Sequence, residues 1–130
     1  MAGELILIVE DNEKNRKLER DILQFHGYRT MEAETAEDGL RLAQATPPAL
    51  VLMDIQLPGM NGIEALRHLR ANPRTRAIPV IAVTASVMDH DRQKIMAAGF
   101  DGYQAKPIEV TQFVAAVRAA VGRPAEGNPT

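Results

Sequence analysis

Among the apolar runs of this chain, Leu5 to Val9, Leu50 to Met53 and Val80 to Val83 stand out as rich in branched aliphatic residues. Short apolar runs bounded by turn residues read as strands buried on both faces. Between and after them the pattern changes to the three-to-four spacing of amphipathic helices. Leu18, Ile22 and Phe25 recur among charges over Glu13 to His26, with Gly27 placed as a C-terminal cap. Thr35, with Asp38 three residues on, starts a helix through Leu40, Leu42 and Ala43 that Pro47-Pro48 stops. Ile63, Leu66 and Leu69 mark a third helix closing before Asn72-Pro73. A fourth is capped by Ser86 or Asp89 and runs to about Ala98, before Gly99; Val110, Phe113, Val114, Val117 and Val121 stripe a fifth. Tyr28 to Ala33 and Gly102 to Ala105 complete a set of five strands, the last with the weakest pattern.

Strands alternating with helices through short connections predict an α/β fold with a parallel sheet covered on both faces. The doubly wound order 2-1-3-4-5 puts strands one and three side by side at the switch point, where ligands bind such sheets. All eight prolines fall outside element interiors, and no internal repeat competes with this plan.

At 130 residues the chain suits one domain, placed at 4–121 with a short polar tail at 122–130. Such a domain buries ~65 to 70% of its unfolded surface, so its core needs no staples. There is no cysteine, which excludes disulfides and thiolate metal sites and fits a reducing, cytoplasmic setting. No signal-peptide pattern or long apolar run predicts a membrane partner, and a net charge of −2 argues against direct nucleic-acid binding. His26, His68 and His90 fit no spaced ligand set and read as helix-surface residues, while Met88 and Met96 read as packing groups.

The chemistry gathers where strands end. Asp54 closes the Leu50 to Met53 run, and Pro58, Gly59 and Gly62 force a loop after it. Glu10 and Asp11 close the first strand, so the predicted order brings three carboxylates to one crevice. Like charges at close range repel unless a cation intervenes, and a hard divalent ion such as Mg²⁺ takes this oxygen set. A plainer reading also stands: Asp54 caps the next helix, and Glu10 and Asp11 complement the positive end of helix one. Thr84 brings a hydroxyl with the Ala85 amide beside it, and Lys106 an ammonium, to the neighbouring strand ends. Together these groups are the neutralising set that phosphoryl transfer requires.

The acidic pair Glu10-Asp11, Asp54 followed by Leu57-Pro58-Gly59-Met60-Asn61-Gly62, Thr84-Ala85 and Lys106-Pro107 resemble the receiver domains of two-component response regulators over about residues 4 to 121. The resemblance implies that Asp54 accepts a phosphoryl group from the phosphohistidine of a histidine kinase or histidine phosphotransferase. It implies Mg²⁺, with Mn²⁺ as a substitute, held by Asp11, Asp54 and the Gln56 carbonyl, with Glu10 acting through a water. Thr84 and the Ala85 amide would meet the phosphoryl group and Lys106 would pair with it. Tyr103 would turn inward, altering the surface of helix four, strand five and helix five for a downstream protein. The Lys106-Pro107 bond resembles a family position that is cis. Many members carry Asp-Asp where this chain has Glu10-Asp11, which bears on the details of metal coordination.

Within that family the chain resembles the stand-alone type, including small cell-cycle and chemotaxis regulators, with a module excised from a longer regulator or hybrid kinase as the alternative. Such a domain catalyses only its own phosphorylation and dephosphorylation. A flavodoxin-like cofactor binder shares the fold but needs a phosphate-cradling loop after strand one, where Glu10-Asp11 repels phosphate. A Mg²⁺-dependent phosphatase of the haloacid dehalogenase type would resemble Asp-x-Asp there, against Asp11-Asn12-Glu13 here.

Overall fold

The computed structural model of the chain describes residues 3–85 and 89–122, with residues 89 and 90 described by their backbone alone. Five strands alternate with five helices: β1 (Leu5–Val9), α1 (Glu13–Phe25), β2 (Arg29–Ala33), α2 (Ala36–Ala45), β3 (Leu50–Asp54), α3 (Gly62–Ala71), β4 (Val80–Thr84), α4 (Asp89–Ala97), β5 (Gly102–Ala105) and α5 (Val110–Gly122). The strands form one parallel sheet in the order β2-β1-β3-β4-β5, as the alternation predicts. β1 and β3 are neighbours, with Val9 beside Met53, so their C-terminal ends open on a common edge.

Side chains alternate across a strand, and that period divides the core. Leu7, Val9, Val51, Met53, Val80 and Ala82 pack with Leu66 and Leu69 of α3, Ala43 of α2 and Ile95 of α4. Ile6, Ile8, Leu50, Leu52, Ile81 and Val83 pack with Leu23 of α1 and Phe113 and Val117 of α5. β3 and β4 are buried at every residue, which explains why their sequences show no alternation.

Local signals fix the helix starts. The Asn12 side chain accepts from the Asn15 amide at 3.0 Å, and the Thr35 hydroxyl from the Asp38 amide at 3.1 Å. Asn61 and Glu64 exchange reciprocal side-chain to backbone bonds of 2.9 and 3.2 Å, a capping box that seats α3. The Ser86 and Asp89 caps, Met88 and the His90 side chain lie outside the described residues, as does the tail from 123 on; Gly122 belongs to α5.

The inward face of α1 differs from the apolar stripe. Phe25 is 86% exposed and Leu18 is exposed, while Leu23 and Glu19 are the residues α1 buries, with Ile22 half-buried. The stripe passed over Glu19 because its side chain is ionisable, yet it lies one turn before Leu23 on the same face. Met96 is exposed rather than packed, and so is Val110 at the start of α5.

Glu19 is 1% exposed, and among the described residues its Oε2 meets no hydrogen-bond partner. Burial, with the charge of Glu10 adding to it, pushes its carboxyl from an ordinary 4.5 up to about 8, against the opposing pull of Lys106. The unfolded chain therefore releases this proton near pH 4.5 while the folded chain keeps it to about 8. Stability is greatest below the lower value and falls as pH rises between the two, by ~1.4 kcal/mol per unit for this group alone. Glu19→Leu should gain up to about 3 kcal/mol at pH 7, with the advantage growing from pH 5 to 8 in urea unfolding. An advantage independent of pH would show that Glu19 does not titrate in this way.

Candidate functional site

Alternation carries the rows Ile6, Ile8 and Leu50, Leu52 onward to Glu10 and Asp54, so both carboxylates lie on the α1 and α5 side of the sheet edge. Glu10 is 1% exposed and Asp54 4%, unusual burial for acids and one that demands partners. Glu10 Oε2 accepts from the Asn12 amide at 3.0 Å, and its main-chain carbonyl accepts from Arg16 Nη1 at 2.9 Å. Asp54 Oδ1 accepts from the Gln56 amide at 3.0 Å, which curls the chain back as it leaves β3.

The ammonium of Lys106 joins the two. Its Nζ lies 2.7 Å from Glu10 Oε1 as a close ion pair and donates to Asp54 Oδ2 at 3.2 Å. The Lys106 amide donates to the Thr84 carbonyl at 2.9 Å, which ties the residue to the sheet edge. The Lys106-Pro107 bond is cis. Burial raises the Glu10 carboxyl above its usual range, with Asp54's charge adding and Lys106 and the Asn12 amide opposing. For Lys106 burial works downward, but Glu10 and Asp54 outweigh it and hold the ammonium above its usual value.

The loop after β3 depends on two glycines. Gly59 has φ +75°, in the left-handed region. At Gly62 a Cβ would stand 2.5 Å from the Asp54 carbonyl oxygen and 2.9 Å from Ile55 Cα, so only glycine lets α3 start this close to the acidic strand end.

One carboxylate oxygen from each of Glu10, Asp11 and Asp54 lies within 4.8 Å of the others, with Asp11 exposed to solvent. Oxygens sharing one Mg²⁺ at ~2.1 Å sit ~3 Å apart when adjacent and ~4.2 Å when opposite. The oxygen-only set is therefore spaced to hold such an ion directly or through a bound water, and the donors fit it.

Thr84 is fully buried at the end of β4, and Ala85 is exposed just beyond it. Gln56 is exposed, with its amide committed to Asp54. Tyr103 stands apart from the acidic cluster, beside Ala82 and with Arg92 of α4 5.6 Å from its ring centroid. Three residues escaped the sequence reading. Asn12 carries a legible signal, since it caps a charged helix, whereas Arg16 and Arg92 look like ordinary exposed helix cations until the fold is known. His26 caps α1 at its C-terminal end and His68 is exposed, both outside the site.

A doubly wound sheet with an acidic cluster at its switch point and a lysine just beyond the last strand defines an α/β domain with one charged site at its sheet edge. Residues 6–118 match the family model of the response regulator receiver domain, and the chain belongs to that family. It is 42% identical over 117 residues to the polar-differentiation response regulator DivK of Brucella ovis, spanning 90% of this chain and 95% of the relative. The homologous DivK of Brucella anthropi matches at the same identity and coverage. Among solved structures, the receiver domain of sensor histidine kinase PA1611 from Pseudomonas aeruginosa PAO1 superposes with a TM-score of 0.87 at 33% identity, covering 94% of this chain and all of that one. That protein holds a magnesium ion in its active site cleft. A putative response regulator from Chloroflexus aurantiacus gives a TM-score of 0.89 at 26% identity, covering 93% and 99% of the two chains. Among the described residues no helix is long and apolar enough to cross a membrane.

Replacing Lys106 by Met should leave two buried carboxylates without their ammonium and cost about 3 kcal/mol in metal-free urea unfolding at pH 7. Added Mg²⁺ should then stabilise the variant more than the wild type. Equal Mg²⁺ responses would show that the ammonium and the ion do not serve the same charges.

Proposed function

We propose that this chain accepts a phosphoryl group on Asp54 from the phosphohistidine of a histidine kinase or histidine phosphotransferase, and signals through a changed surface to a downstream protein. The observation that carries this reading is the Asp54 carboxylate itself: buried at the strand end, grouped with Glu10 and Asp11, and 3.2 Å from Lys106 Nζ. A carboxylate oxygen of Asp54 attacks phosphorus, the new P–O bond forms as the P–N bond breaks, and the partner's imidazole leaves. The incoming group brings negative charge to a place that already holds three carboxylates, so neutralisation is the main task of catalysis.

Asp11, Asp54 and the Gln56 carbonyl would hold Mg²⁺, with Glu10 acting through a water and Mn²⁺ able to substitute. The ion supplies positive charge to the transferring oxygens. Lys106 shares its ammonium between Glu10 and Asp54 in the unmodified protein and pairs with the phosphoryl group afterwards. The Thr84 hydroxyl and the Ala85 amide donate to the remaining oxygens. Family membership and the Pseudomonas relative's magnesium ion support this assignment. The domain catalyses only its own phosphorylation and dephosphorylation, and we place it in the cytoplasm.

The output follows from Thr84. Drawn toward the phosphoryl oxygens, its hydroxyl vacates space that Tyr103 fills by turning inward, which remodels the face formed by α4, β5 and α5. A partner that binds only this remodelled face selects the phosphorylated state.

Asp54→Ala should take up no phosphate from acetyl phosphate, and wild type should take up none once divalent ions are chelated. Asp11→Ala should need far more Mg²⁺ for the same extent while keeping its circular dichroism spectrum. Intact-protein mass spectrometry reads all three, and undiminished labelling of Asp54→Ala would refute the assignment.

A further inference from the structure

One contact ties α4 to β5 through side chains of different chemistry. The Arg92 guanidinium stands 5.6 Å from the centroid of the Tyr103 ring, within the range at which a cation is attracted by an aromatic face. Arg92 is exposed and Tyr103 half-buried, and with Gln104, Ala105 and Gln112 they line a groove of about 290 Å³ reaching from α4 to α5.

The register shows what else the ring can reach. Tyr103 lies beside Ala82, and Thr84 beside Ala105, so Tyr103 and Thr84 project from the same face of the sheet. Ala82 and Ala105 present only methyl groups on that face. In this structure the ring lies at the groove against Arg92, and on the output reading proposed above it would turn inward over these small residues toward Thr84. A ring turned that way would move off the guanidinium, so the contact with Arg92 would oppose the turn.

We propose that Arg92 is a positioning residue for the output step: it holds Tyr103 at the groove in the unmodified protein, and its contact with the ring has to break before Tyr103 turns inward. The inference rests on the phosphoacceptor reading for its link to signalling, while the contact itself belongs to the free protein. Arg92 thereby sets how much of the signalling conformation exists before phosphorylation. An exposed contact of this type biases a two-state equilibrium by about two- to fivefold. Every ligand selective for the inward state is weakened by the same factor as long as the outward state dominates.

Tyrosine-selective ¹³C labelling gives a direct readout, because the chain has two tyrosines and Tyr28 serves as the internal reference. Arg92→Met keeps length and helix propensity without the charge. In the free protein it should move the Tyr103 ring resonances toward their positions in the beryllofluoride and Mg²⁺ complex, with Tyr28 unmoved and Arg92→Lys intermediate. Titrated with beryllofluoride in excess Mg²⁺, Arg92→Met should bind about two- to fivefold more tightly than wild type. Tyr103 resonances indifferent to Arg92→Met would overturn the proposal, and so would a moved ring with unchanged or weaker beryllofluoride binding. Wild type that takes up no beryllofluoride would instead refute the phosphoacceptor reading, and the ring positions in free Arg92→Met would then decide alone whether Arg92 positions Tyr103.

Discussion

Two carboxylates buried at neighbouring strand ends repel each other, and one ammonium compensates them. Glu10 and Asp54 are nearly inaccessible, and Lys106 reaches both, at 2.7 and 3.2 Å. A pair of acids this deep is tolerated only with opposite charge and hydrogen bonds in place. The main-chain amides of Asn12 and Gln56 supply one bond to each. The arrangement is therefore held together by charge that a divalent ion or a phosphoryl group would redistribute. Lys106 neutralises the two acids in this structure, and on the reading proposed above it would also meet the incoming anion.

That balance depends on backbone placement more than on any one side chain. Parallel strands bring Glu10 and Asp54 to the same edge, and the tie between the Lys106 amide and the Thr84 carbonyl brings the lysine across from β5. Gly62 allows α3 to begin against the Asp54 carbonyl, and the Asn61 capping box holds it there. Glu19 extends the electrostatic system one layer inward. It lies on the buried face of α1, feels Glu10 and Asp54 as repulsion and Lys106 as attraction, and keeps its proton at neutral pH. The acidic edge thus rests on a helix that carries a neutral acid where an apolar residue would bury at less cost.

Much of this was legible in the residues. The unbroken runs gave β1, β3 and β4, because strands buried on both faces have no polar side to interrupt them, and the alternation with helices gave the strand order. Asp54, Glu10, Asp11 and Lys106 could be placed together because each follows directly on a strand end or closes one. α1 was harder. Its apolar spacing pointed to Leu18, Ile22 and Phe25, yet Leu18 and Phe25 face outward and Glu19 faces in. A helix's orientation is set by the sheet it packs on and by its caps, and a periodicity count that treats glutamate as polar cannot register a buried one. Arg92 was equally hidden, since its relation to Tyr103 exists only once β5 lies beside α4. A contact between two elements, even consecutive ones, leaves no mark in the pattern of either.

The central claim is that the phosphoryl group arrives on Asp54 and on no other carboxylate, although Glu10 and Asp11 lie within 4.8 Å of it. Borohydride reduces an aspartyl phosphate to homoserine, which marks the acceptor permanently. The direct measurement is therefore to phosphorylate the protein with acetyl phosphate and Mg²⁺, reduce it, digest it and sequence the modified peptide by tandem mass spectrometry. The account predicts homoserine at position 54 alone. Reduction at Asp11 or Glu10, or a protein that gains phosphate with position 54 still aspartate, would contradict it.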